Sequence, residues 1–172
     1  MATPKNISFS HPSKFRLVFP FMEFMDEFYS SNKEAGREFT LYCSQVSLPT
    51  VNMPPVSIDT PYYQMKVPYE NMMWGEVTAT YSVDEYFNNF NFLYKWFMLM
   101  KNPEEYRRGG PSEMINAALH IYSNNDNPKF RFTLVNVFPI GLGGINFSKE
   151  QSDGEDLKHT VTFALDYYRL EK

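Results

Sequence analysis

Five prolines fall between positions 49 and 68 (Pro49, Pro54, Pro55, Pro61 and Pro68), and they interrupt segments that otherwise alternate as strands do. Each proline fixes φ and lacks a backbone donor, so no central strand of a sheet can run through this passage. Val56-Ser57-Ile58 and Tyr62 to Val67 nevertheless keep a two-residue period. The pattern predicts two extended, edge-type legs joined by a turn near Asp59-Thr60-Pro61. An arm of this kind, spanning 49–68, cannot bury both faces against its own domain. It needs a neighbour.

The flanks of the arm read as ordinary elements. Phe39 to Ser47 predicts a strand, with Phe39, Leu41 and Cys43 on one face and Thr40, Tyr42 and Ser44 on the other. Trp74 to Val83 predicts a β-branched strand. Asp84 then offers an N-cap, and Glu85 suits the positive end of a helix dipole. Tyr86, Phe90, Leu93, Phe97 and Met100 step by four, three, four and three residues, and Phe87, Tyr94 and Met98 widen that face. The spacing predicts one amphipathic helix over 84–102, stopped by Asn102-Pro103 and packed on a sheet.

Residues 1–12 carry two prolines and no period, and read as a lead-in. Lys14 to Pro20 predicts a first strand with Phe15, Leu17 and Phe19 on one face. From Phe21 to Glu38 the pattern is either a short helix (Phe21, Phe24, Met25, Phe28) or a long loop. After a polar connection from Glu104 to Ser112, Leu119 to Ser123 predicts a short strand and Asn124 to Pro128 a turn. Phe130 to Val137 alternates again. Gly141-Leu142-Gly143-Gly144 reads as a bend or bulge, after which Ile145 to Phe147 resumes β character, and Ser152-Asp153-Gly154 marks a further turn. The closing strand, His159 to Arg169, sets Val161, Phe163, Leu165 and Tyr167 against Thr160, Thr162, Ala164 and Asp166. No repeat or second domain is visible, and one domain over 1–172 is expected.

At 172 residues the chain can bury a real core without staples. Aromatic residues make up 17%, so part of that load reaches the surface unless a partner covers it, which favours an oligomer. The formal net charge is −4 and the only adjacent basic pair is Arg107-Arg108, which argues against a tight grip on nucleic acid. The single cysteine, Cys43, excludes an internal disulfide and reads as a small buried apolar residue. The first residues show no apolar signal region, and the longest apolar run, Trp96 to Met100, is too short to span a membrane. A soluble cytoplasmic protein is the expectation.

No catalytic constellation emerges. His11, His120 and His159 lie far apart without metal-ligand spacing. The glycines at 141–144 precede strand-like residues rather than a helix, so they do not form a phosphate cradle. The acidic run from Ser152 to Asp156 lacks the alternating oxygen ligands of a calcium loop and reads as a solvated turn. No catalytic, cofactor or metal residue is assigned, and an enzyme is not expected.

In this order the elements resemble the tail tube proteins of contractile-tailed bacteriophages. The residues that carry the resemblance are the Cys43 strand ending in Leu48-Pro49, the arm ending in Lys66-Val67-Pro68, and the strand Trp74 to Tyr81. The latter leads through Asp84-Glu85 into the helix bearing Trp96; Val137-Phe138-Pro139 and Thr162 to Tyr168 look like the family's last two strands. The resemblance covers roughly Phe39 to Tyr168. It implies a mainly β fold, a β-barrel or sandwich of two packed antiparallel sheets with one flanking helix and an extended hairpin arm. It further implies six copies closing into a ring, with rings stacking into a hollow conduit through which DNA leaves the capsid.

The partners so implied are further copies in a homo-hexamer, sheath and baseplate proteins outside, and tape measure protein and DNA in the lumen without tight binding. The location implied is the virion tail, after assembly in the host cytoplasm, with no membrane contact. The expected ring-to-ring contacts are Pro54, Pro55, Val56, Ile58, Pro61, Tyr62, Tyr63, Met65 and Lys66. Core packing is expected from Phe90, Leu93, Trp96 and Phe97 against Val161, Phe163 and Leu165. Two features depart from the family pattern: the long 21–38 segment and an arm rich in tyrosine and methionine. Alternatives of the same fold are a baseplate tube initiator, a tail terminator or adaptor, and a type VI secretion ring protein. From another class comes a carbohydrate-binding β-sandwich with exposed aromatic rings.

Overall fold

A computed structural model describes residues 13–19, 43–68, 71–102, 107–108, 114–145, 147 and 156–171. The lead-in, the 21–38 segment, residues 39–42, most of the polar connection and the Ser152 turn lie outside the described residues. The elements are β1 (Phe15–Val18), β2 (Cys43–Ser47), β3 (Val51–Asn52), β4 (Pro55–Asp59), β5 (Gln64–Pro68), β6 (Met73–Trp74) and β7 (Val77–Ser82). Then follow α1 (Asn88–Met100), β8 (Lys101–Asn102), β9 (Arg107–Arg108), β10 (Ile115–Tyr122), β11 (Pro128–Leu142), β12 (Lys158–Ala164) and β13 (Tyr167–Glu171).

All strand pairs are antiparallel, and β11 belongs to two sheets at once. Its first half pairs with β10 and β13, giving a first sheet in the order β1-β10-β11-β13. Its second half pairs with β12, giving a second sheet in the order β11-β12-β7-β2. Leu17, Ala117, Leu119 and Leu134 from the first sheet meet Val77, Ala79, Tyr81, Val161 and Phe163 from the second in one core. The mainly β, two-sheet architecture expected from the sequence is the one observed. Pro139 sits within β11 where a register shift separates Pro139 from Gly141, a position that tolerates the missing donor.

The corner between the sheets is built from three polar side chains. Asn136 takes a left-handed backbone, φ 54°, which asparagine tolerates better than most residues. Its amide N–H donates to Asn116 Oδ1 at 3.1 Å, and its side-chain Nδ2 donates to Asp166 Oδ2 at 2.5 Å. Asp166 N–H donates to the Val135 carbonyl at 3.1 Å. The closing segment therefore breaks at Leu165-Asp166 into two strands rather than forming the single strand expected. Val161 and Phe163 point inward and Leu165 packs against the core as predicted, but the break shifts the phase by one. Tyr168, not Tyr167, is inward, against Trp74 (4.7 Å) and Phe132 (5.8 Å). Tyr167 turns to the other face, where Arg169 Nη2 donates to its hydroxyl at 2.7 Å. Replacing Asn136 by alanine should cost about 1–3 kcal/mol, through lost hydrogen bonding and strain at positive φ. Asn136→Gly should cost less because glycine accepts that backbone, and denaturant melts of both variants measure the difference.

The single strand expected over 74–83 is also divided. Gly75 lies between β6 and β7, donates its N–H to the Thr50 carbonyl at 2.8 Å, and approaches so closely that a Cβ would sit 2.8 Å from Thr50 Oγ1. That close approach turns Trp74 away to pair with Val51 in β3. Elsewhere β10 begins earlier than the strand predicted at Leu119, and Ile145 is not in a strand.

α1 begins at Asn88, four residues after Asp84. Asp84 to Phe87 forms a turn instead, in which Phe87 N–H donates to the Asp84 carbonyl at 3.0 Å and Phe87 has φ 57°. The Asp84 carboxylate still caps, accepting from Asn88 Nδ2 (2.9 Å) and Asn89 N–H (3.2 Å). The inward stripe is Asn89, Phe92, Leu93 and Trp96. Phe90 and Phe97, expected in the core, are only half-buried, one position off that stripe. Asn89 occupies an inward position because Nδ2 donates to the Ser82 carbonyl at 2.5 Å and Oδ1 accepts from Phe90 N–H at 2.8 Å. The helix ends at Met100, where β8 pairs with β9 before Asn102-Pro103 is passed.

His159 joins helix and sheet. It is 2% exposed, stacked on Tyr81 at 5.7 Å and edge-on to Phe90 at 5.7 Å, and neither ring nitrogen meets a hydrogen-bond partner among the described residues. Burial pushes its pKa down. The unfolded chain therefore binds a proton more readily, so this residue's contribution to stability is present above the ordinary histidine value and is lost as pH falls below about 6.5. His159→Phe should flatten the acid side of the stability–pH curve, removing a slope of up to about 1.4 kcal/mol per pH unit. Thermal melts of both proteins between neutral and mildly acid pH check this; parallel curves would refute it. Two strands away, burial pushes the Cys43 thiol up to about 11, and the thiol donates to the Gln45 carbonyl at 3.6 Å. Cys43 thus remains a protonated packing residue as the sequence suggested, but half-buried rather than buried.

Candidate assembly surface

The proline-studded passage folds as a two-stranded ribbon, and among the described residues β4 and β5 pair only with each other. Pro55 lies opposite Pro68 at its base, Val56 opposite Val67, Ser57 opposite Lys66, Ile58 opposite Met65, and Asp59 opposite Gln64. Both strands are edges, a sheet environment where prolines are tolerated. The turn runs over Thr60 to Tyr63. Thr60 N–H donates to the Tyr63 carbonyl at 3.1 Å, and Tyr63 N–H donates to Thr60 Oγ1 at 3.1 Å. The Thr60 hydroxyl donates in turn to the Tyr63 carbonyl. Pro61 pre-sets the backbone for this turn.

Register divides the ribbon into two chemically different faces. Val56, Ile58, Met65 and Val67 form an apolar face; Ser57, Asp59, Gln64 and Lys66 form a polar one, with Gln64 Nε2 donating to Asp59 Oδ1 at 3.0 Å. The nine residues singled out in the sequence are therefore not one cluster. Val56, Ile58 and Met65 stand together. Lys66 is on the opposite face, Pro54 and Pro55 lie at the root, and Pro61, Tyr62 and Tyr63 are in the turn, where Tyr62 is 93% exposed. Val56, Ile58 and Met65 are exposed, and none of the arm belongs to the core.

The surface extends further than the sequence indicated. The β3-β6 ribbon at the root leaves Val51, Met53, Met72 and Met73 exposed, continuing the apolar character of the arm. Reading Trp74 to Val83 as one strand concealed this root. The run Met72-Met73 beside Met53 was the available signal, since unpaired methionines at a strand end suit adaptable contacts. Among the described residues no group of three His, Cys, Asp or Glu side chains could hold a metal ion. Nor is any helix among them long and apolar enough to cross a membrane.

Among the described residues, a packed two-sheet core carries a docked helix and an amphipathic hairpin whose apolar face lies outside that core. Residues 10–171 match the model of the phage tail tube protein family, and the chain belongs to that family. A chain in the sheath–tube complex of the PVC extracellular contractile injection system, in its extended state, superposes with a TM-score of 0.61 at 12% identity, covering 92% of this chain and 88% of that one. A chain in the tube-terminating cap of the anti-feeding prophage gives 0.66 at 14%, covering 98% and 97%. Hcp1 from Flavobacterium johnsoniae gives 0.50 at 9%, covering 91% and 94%. At these identities the likeness concerns the fold. Among curated proteins, none matches the sequence.

Proposed function

We propose that this chain, as one domain over 1–172, is the building block of a tail tube: six copies close into a ring, and rings stack into a hollow conduit for DNA ejection. The observation that carries this reading is the hairpin. Its apolar face of Val56, Ile58, Met65 and Val67 lies outside the core of a chain that belongs to the tail tube family. Completing the burial of these half-covered side chains stabilises by about 0.5–1.5 kcal/mol each, and a neighbouring copy is the surface that offers burial on every subunit alike. In this reading Pro54, Pro55, Pro61, Tyr62, Tyr63 and Lys66 flank the contact between copies. Sheath and baseplate proteins bind the assembled tube from outside, and tape measure protein and DNA occupy the bore. Assembly takes place in the host cytoplasm and the product is the virion tail. The role is structural, with no catalytic group, cofactor or metal.

Electron microscopy of the purified protein across a concentration series tests this. Hollow filaments of stacked rings are the expected result, formed spontaneously or on addition of purified baseplate. Monomers that persist with baseplate present would sink the proposal. A second reading, a terminator or initiator of the same fold, is favoured by the superposition on a chain of the tube-terminating cap. It predicts single rings that never stack.

A further inference from the structure

The two sheets present outward faces of opposite chemistry. Across the first sheet, Arg16 lies opposite His120, His120 opposite Arg131, and Arg131 opposite Glu171, with Arg169 one row away opposite Thr133. Arg131 and Glu171 approach to 3.8 Å. Burial, then Arg131 and Arg16, hold the His120 pKa below its ordinary value. Across the second sheet the outward rows are Ser47, Thr78, Thr162 and Gly141, then Gln45, Thr80 and Thr160, then Ser82 and Lys158. Thr80 and Thr160 hydroxyls lie 3.5 Å apart, and the Ser44 hydroxyl donates to the Thr80 carbonyl at 3.1 Å. Gly143 donates its N–H to the Thr160 carbonyl so closely that a Cβ there would meet that oxygen at 2.8 Å, which keeps this border smooth. Among the described strand residues of this face, Lys158 is the one charge.

We propose that the serine–threonine face of the second sheet lines the bore of the tube, and that the arginine face of the first sheet is turned away from it. This rests on the tube reading above. A passing duplex is held by arginines because each phosphate contact releases counterions, and a row of them repeated on every subunit would add such contacts around the full circumference. Short neutral hydroxyls with their own protein partners offer no such release. They keep the wall wetted without gripping the polyanion. The occupant that fits this face is nucleic acid in transit.

Single cysteines at Thr160 and, separately, Thr78, each in a Cys43→Ser background, test the assignment. Subunits and assembled tubes are treated with a small maleimide and with a maleimide carried on a folded protein too large for the bore. In free subunits both reagents should react. In tubes the small reagent should still react and the bulky one should lose its reaction at both positions. Tubes in which the bulky reagent still labels position 160 or 78 place this face outside and overturn the assignment. Protection from both reagents puts it in a subunit interface and also overturns it. Neither result touches the tube reading, which fails separately if the parent protein forms no tube at all.

Discussion

Trp96→Ala should destabilise the protein by about 3–5 kcal/mol and lower Tm by roughly 10 °C, the largest single-residue effect expected in this chain. The indole is fully buried where three elements meet: Phe19 just past β1 at 6.0 Å, Phe163 of β12 at 6.0 Å, and Phe92 of its own helix at 6.5 Å. Truncation removes the contact surface for all three rings and leaves a cavity that flanking β-strands cannot collapse to fill. A helix of 13 residues is marginal alone, so its order depends on this docked stripe. Trp96→Phe should retain much of the packing and lose about 1–2 kcal/mol. Guanidinium unfolding followed by circular dichroism separates the cases. A loss under about 1 kcal/mol for the alanine variant would mean the helix is not seated on the core as described.

The docking of that helix was partly legible. Leu93 and Trp96 are readable from the aromatic period, but the stripe's phase depends on Asn89, a polar residue that turns inward because the Ser82 carbonyl waits for its amide. No periodicity argument finds such a position. Strands with one buried face were the clearest part: Val77, Ala79 and Tyr81 alternate with Thr78, Thr80 and Ser82, and only one phase buries the apolar set. The interruptions were hidden for a different reason. Gly75 and Asp166 break strands through contacts with Thr50, Val135 and Asn136, residues distant in sequence, and local propensity carries no trace of them. In the arm, composition identified the residues while register determined their grouping. Once the turn lies at 60–63, Ile58 must face Met65 and Lys66 must face Ser57, so the lysine separates from the apolar set.

That separation makes the arm testable by more than removal. Replacing Val56 to Met65 with a short glycine linker should leave a folded domain that no longer polymerises. Among the described residues the ribbon pairs with no other strand and gives no side chain to the core, so Tm should move by only a few degrees. Assembly should respond far more strongly, since each copy would lose several exposed apolar side chains, each worth about 0.5–1.5 kcal/mol if a neighbour completes its burial. Ile58→Lys tests the same face without shortening the chain. A charge placed in a buried contact costs several kcal/mol, whereas on the exposed hairpin of a free subunit it should cost almost nothing. Lys66→Ala, on the polar face, should change assembly much less than Ile58→Lys. Sedimentation of the variants beside the parent, with melting curves as the control for folding, gives the comparison. Filaments from the deletion variant, or equal effects from the two faces, would remove the arm from the contact between copies.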